Sequence, residues 1–301
     1  MTPDEVATLL YLEHLTDHDL TVLCRSERDD LGPRELRGLV RSRRGGVEGF
    51  LASPDLFGTV LGGGPSREVL RVSPFLVFAV AVERAARELA SARSVPEWAG
   101  PGRRTLVLDV ARLREFVSSP LRRFFLAQLL GSYARVASGS VLVATSRGWR
   151  RRRFSELDPV QLAGLLEVVG PGERPGVLRR LGDLALFLTS VFPDHVARQG
   201  FGPLDRARLL RAGTGMPGAG VDRGRAARDA LGGEEAVGLL AALGRRWYGA
   251  AADLLEHPLP ADVAVIGQVH ERFDDARRAL GLVADRFLFP RRDQWFGLPS
   301  A

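Results

Sequence analysis

Asp183 follows Arg179 and Arg180 by four and three residues, just before the apolar stretch Leu184 to Leu188. On a helix, side chains at those spacings meet on one face. A carboxylate beside a core-forming stretch needs such cations, because desolvating an unpaired charge is expensive. The trio therefore reads in two ways. It is an ion pair that keeps helices in register, or it is a site, with Asp183 binding a cationic ligand or acting as acid/base and His195 or His270 converging on it. Glu83 beside Arg84 and Arg87 carries the same two readings.

His270 and Asp274 are one helical turn apart, with Glu271 beside the histidine. Residues four apart share a face, so His270 and Asp274 could hold a metal next to a general base. The order departs from the zinc pattern H-E-x-x-H where the second histidine should stand, which leaves a single nitrogen ligand. Acids in such a run ordinarily face water, so no metal is expected, with His270 and Asp274 as the alternative. His14 and His18 have the same spacing, but Thr16 opens a new helix between them and separates their faces. His14 at a helix C-terminus is favoured by the helix dipole without any ligand.

A third cluster is cationic. Arg147, Arg150, Arg151, Arg152 and Arg153 put five arginines within seven residues around Trp149. Guanidinium groups suit phosphates, and a guanidinium plane or the indole can stack on a base. Strand alternation would split the run, Arg150 and Arg152 to one face, Arg151 and Arg153 to the other. The competing reading is a ribbon that is solvated or paired with acids on a helical body. Nucleic acid is not excluded, although no familiar nucleic-acid fold surrounds the run.

Other chemistries are closed. The chain has no lysine, so all 42 of its basic residues are arginine and lysine Schiff-base chemistry is impossible. Cys24 is the single cysteine, which excludes an intrachain disulfide and a cysteine zinc cluster, and between Leu23 and Arg25 it reads as a small core residue. Gly62-Gly63-Gly64 lacks the following Gly-Lys-Ser/Thr, and the glycines from Gly213 to Gly218 do not sit between a strand and a helix. No G-x-S-x-G elbow occurs. The cofactor stays unassigned.

The elements that must position these residues are mostly helical. Asp4 precedes the apolar positions Val6, Leu9, Leu10 and Leu12, and Thr16 with Asp19 has the spacing of a capping box. Pro33, Ser53-Pro54, Ser73-Pro74, Ser119-Pro120, Asp158-Pro159 and Pro175 mark further helix starts. Phe192-Pro193 marks a stop, and helices resume over Glu234–His257 and Ala261–Phe289. Thr105 to Leu108 reads as a short strand or as the approach to a helix capped by Asp109. Val141–Ala144 and Trp149–Phe154 flank a turn, which predicts a β-hairpin near residues 140–154. Gly213 to Gly224, with five glycines in twelve residues, reads as a mobile loop. The expected fold is mainly α: a multi-helix, orthogonal bundle-like body with one hairpin. A single domain over 1–301 is preferred, with a division into 1–147 and 155–301 as the alternative.

Composition is that of a folded protein, with 45% apolar and 26% charged residues. The net charge of +6 draws modestly toward anionic partners. Missing lysine with 34 glycines and 18 prolines also fits GC-rich coding, a background to subtract before reading arginine as function. The start MTPDEVATLLYLEHL is acidic where a signal peptide would be basic, and charge-free stretches such as Val72–Val82 span eleven residues. A bilayer-crossing helix needs about 20. The expectation is a cytoplasmic chain without membrane contact.

Trp295-Phe296, beyond the last helix, either cover the body or insert into a partner. Three functions are carried forward. The first is a helical protein-binding or regulatory protein, an oligomer subunit being one form of it. The second is an enzyme or small-ligand protein with an inter-helix cavity at Asp183. The third is nucleic-acid binding through the Arg147–Arg153 hairpin.

Overall fold

The structure is a computed structural model that describes residues 2–25, 31–42, 46–61, 72–134, 138–145, 148–214, 232–255 and 261–288. Among these residues the chain is a mainly α, multi-helix bundle with antiparallel hairpin structure, as the helical punctuation predicts. Helices α1 (Pro3–His14), α2 (Asp17–Cys24), α3 (Pro33–Ser42), α4 (Gly46–Leu51), α5 (Pro54–Leu61) and α6 (Pro74–Ser91) come first. Strands β1 (Val95–Trp98) and β2 (Arg104–Val107) follow, then α7 (Ala111–Ser118) and α8 (Pro120–Tyr133). The second pair is β3 (Ser138–Thr145) and β4 (Gly148–Ser155). After it come α9 (Pro159–Ala163), a 3-10 turn (Gly164–Glu167), α10 (Arg174–Val191), α11 (Pro193–Gln199) and α12 (Pro203–Thr214). The last elements are α13 (Gly233–Leu254), α14 (Ala261–Glu271), α15 (Phe273–Val283) and a π turn (Ala284–Leu288).

Local chemistry explains many starts. The Thr16 hydroxyl accepts from the Asp19 amide and Asp19 accepts from the Thr16 amide, a reciprocal cap on α2. The same box, Thr2 with Glu5, opens α1, so the helix is capped by Thr2 rather than announced by Asp4. Ser73 caps α6 and Asp158 caps α9, each with proline as the first helical residue. Two expectations shift. Asp109 caps nothing, since α7 follows Val110 as its N-cap residue. The helix expected over Ala261–Phe289 is divided at Arg272, and its last turn widens to π geometry.

The described residues form two compact units, each drawn from separate stretches of chain. The first takes its residues from Met1–Val95, Leu106–Arg135 and Arg278–Ala301. Its centre is α6 against α8, the start of α6 being buried from Phe75 to Val82. Tyr11, Phe75 and Phe124 pack edge-on or tilted around it, at centroid separations of 5.2–5.9 Å. Asp19, wholly buried, also accepts from the Ser73 amide at 2.8 Å and so joins α2 to the start of α6.

The second unit takes its residues from Pro96–Thr105 and Val136–Arg277. Helices α10 and α13 are its core and pack at close range through two glycines. A Cβ on Gly182 would lie 2.5 Å from the Tyr248 ring, and one on Gly244 would lie 2.6 Å from the Ala185 Cβ. The β1–β2 turn belongs here: Gly100 and Gly102 adopt φ of 119° and 67°, conformations that side chains resist. Asp194, in the first turn of α11, accepts from Trp98 Nε1 at 2.6 Å and from the Gly102 amide at 3.2 Å.

Candidate functional site

The hairpin expected near 140–154 forms by antiparallel pairing of Ser138–Thr145 with Gly148–Ser155. Its register pairs Val143 with Arg150, Leu142 with Arg151, Val141 with Arg152 and Ser140 with Arg153. Directly opposed residues are the nearest cross-strand neighbours. β3 contains no charged residue, so four consecutive arginines stand opposite aliphatic and hydroxyl positions. Trp149 stands opposite Ala144, one rung from the last pair, Thr145 with Gly148. Among the described residues β3 and β4 pair only with each other, and Arg147 lies outside those residues.

Asp183 is buried on α10, as its apolar flank implies. Its Oδ1 accepts from the Tyr248 hydroxyl at 2.7 Å, tying α10 to α13. Burial pushes its carboxyl above the usual aspartate range, while Arg179, the Tyr248 hydrogen bond and Arg180 pull the other way. Arg180 donates to Glu156 at 2.9 Å. His270 Nδ1 lies 2.8 Å from the Arg245 carbonyl oxygen, and Arg245 pairs with Asp274. Asp183, Arg180 and His270 thus hydrogen-bond to different partners, while Arg179 and Arg180 still act on Asp183 through their charge. Among the described residues no three His, Cys, Asp or Glu side chains are grouped to hold a metal ion.

The raised Asp183 carboxyl has a testable consequence. A native state that binds a proton more tightly than the unfolded chain loses stability as pH rises through the native value. Below the ordinary aspartate range both states are protonated and the contribution is fully present. The amide of an Asp183→Asn variant cannot ionise but still offers an oxygen to Tyr248. The stability difference, variant minus wild type, is therefore expected to grow as pH rises above the usual aspartate range and to level off above the native value. Urea midpoints measured across that window check this, and a difference independent of pH contradicts it.

Of the two N-terminal histidines, His14 is held by the surrounding fold. His14 Nδ1 lies 2.9 Å from the Leu10 carbonyl oxygen and Nε2 lies 3.0 Å from Gln128 Nε2, an arrangement one neutral tautomer satisfies. Its ring packs on Phe75 and Phe124.

One charged cluster escapes sequence reasoning. Arg123, buried on α8, lies 2.5 Å from Glu48 of α4 and 3.0 Å from Glu83 of α6. Its Nη1 donates to the Val117 and Ser118 carbonyls at 2.6 and 3.0 Å. Arg87 adds a contact to Glu83 at 3.5 Å, whereas Arg84 pairs with Glu88. Burial raises the Glu48 carboxyl and the Tyr11 phenol near it, and Arg123 opposes both. All the guanidinium nitrogens of Arg123 thus have protein neighbours, a framework joining four helices, α4, α6, α7 and α8.

Trp295 and Phe296 lie outside the described residues. Among the described residues no helix is long and apolar enough to cross a membrane. Compared with family models, with curated proteins and with solved structures, the chain matches none.

Proposed function

We propose that the chain is a binding protein whose β3–β4 ribbon takes nucleic acid. One observation carries the reading: four successive arginines of β4 face a strand without charge, so the ribbon has no counter-charge of its own. Alternation assigns Arg150 and Arg152 to one face and Arg151 and Arg153 to the other. A flat acidic protein surface meets one face of a ribbon. A duplex groove has a phosphate wall on each side, and a two-stranded ribbon fits the major groove. Charge on both faces therefore favours nucleic acid over an acidic protein. The inter-helix enzyme reading has less support, because Asp183 is engaged by Tyr248 within the core.

Fluorescence anisotropy with a labelled 20-base-pair duplex of mixed sequence tests the reading. The wild-type chain is expected to bind, and each of the pairs Arg150→Gln/Arg152→Gln and Arg151→Gln/Arg153→Gln to weaken binding and flatten its salt dependence by about 2 log units per log unit of salt, about 1 per arginine. Undiminished binding with all four neutralised overturns the reading. Polyglutamate that displaces the duplex as effectively as unlabelled duplex overturns it in favour of an acidic protein partner.

A further inference from the structure

The Thr145–Gly148 end of the ribbon holds a residue that phosphate binding leaves unused. Trp149 is the second residue of β4 and is followed directly by Arg150–Arg153. The other aromatic residue of the two strands, Phe154, stands opposite Gly139 at the far end. Arginine apart, β3 and β4 contain no Asn, Gln, Asp, Glu or His, so amide and carboxylate readers of base edges are missing. What the ribbon sequence offers is a row of phosphate binders with one π surface at its leading end.

The alternation of the strand suits this division. Residues on one face of a strand recur about every 6.6 Å, twice the rise per residue. By alternation Trp149 shares a face with Arg151 and Arg153 and stands at the end of that row, with Arg150 and Arg152 on the other face. In a continuous duplex each base is covered above and below by its neighbours and offers no face to an indole. A base in a bulge or overhang does, and stacking on an aromatic side chain tolerates any base.

We propose that the ribbon's preferred ligand is a duplex interrupted by an unstacked base, which stacks at Trp149 while Arg150–Arg153 take the flanking phosphates. This rests on the nucleic-acid reading above. The test compares an intact 20-base-pair duplex, the same duplex with a one-base bulge, and the same duplex with a single-stranded overhang, using the full chain. Trp149→Leu keeps apolar bulk in the strand without a ring, and Trp149→Tyr keeps the ring.

Wild type and Trp149→Tyr are expected to prefer the bulged and overhang probes by roughly tenfold. Trp149→Leu is expected to abolish that preference while binding the intact duplex as wild type does. Equal wild-type binding of all three probes overturns the inference, as does a preference retained by Trp149→Leu. Either result leaves the nucleic-acid reading standing if neutralising the four arginines still weakens binding. Undiminished binding by that arginine variant overturns both.

Discussion

Replacing Arg123 with methionine is expected to lower the unfolding free energy by about 3–5 kcal/mol, the usual cost of breaking a buried ion pair from one side. Methionine preserves much of the side-chain volume, so a cavity contributes little. What remains are the Glu48 and Glu83 carboxylates, at side-chain exposures of 25% and 10%, without the cation between them. The Val117 and Ser118 carbonyls lose a donor at the same time. A loss of that size is a large share of the roughly 5–15 kcal/mol that typically holds a domain together. Arg87, which also meets Glu83 but is half exposed, sets the contrast. Arg87→Met should change stability by no more than about 0.5 kcal/mol, as surface pairs usually do. Urea unfolding of both variants checks the pair, and equal losses would contradict the assigned roles.

Gly182→Ala should destabilise by about 1–3 kcal/mol, the range for overpacking a filled core. The added carbon would lie 2.5, 2.6 and 2.9 Å from three atoms of the Tyr248 ring. Tyr248 is fully buried, and its hydroxyl is held by Asp183, so the ring cannot swing aside without breaking that bond. Alanine ordinarily stabilises a helix interior relative to glycine by roughly 1 kcal/mol. The two effects oppose each other, and contacts below 3 Å with a confined ring decide the sign. Gly176→Ala, on the same helix with open space at its Cβ position, isolates the propensity term and should stabilise slightly. A stabilised Gly182→Ala protein would show that α10 and α13 are not packed this closely in solution.

Legibility followed the range of the interaction. The Thr16–Asp19 box and the Ser73-Pro74 and Asp158-Pro159 starts are complete within a few residues, so their chemistry is visible in the sequence. The same signal at Thr2 and Glu5 was available, though Asp4 draws the eye first. β2 was readable from Thr105–Leu108, but its partner β1 is four residues long, includes Pro96 and has no alternation to announce it. The burial of Asp183 follows from its apolar flank, while its bond to Tyr248 crosses 65 residues and leaves no local trace. Glu48, Glu83 and Arg123 lie on three helices, and only packing α4, α6 and α8 together makes them a cluster. For the ribbon, sequence supplied the arginines and their alternation. The register supplied what they oppose, an uncharged strand.

The most direct test of the ribbon as a nucleic-acid element is the slope of log affinity against log salt for an intact duplex. Neutralising a phosphate contributes about −0.9 to that slope. If Arg150–Arg153 each engage one phosphate, wild type should show their share as a slope steeper by about 3.6 than the variant with all four changed to glutamine. Between about 50 and 200 mM salt that share amounts to roughly a hundredfold loss of affinity. Wild-type and variant lines of equal slope would contradict the proposal.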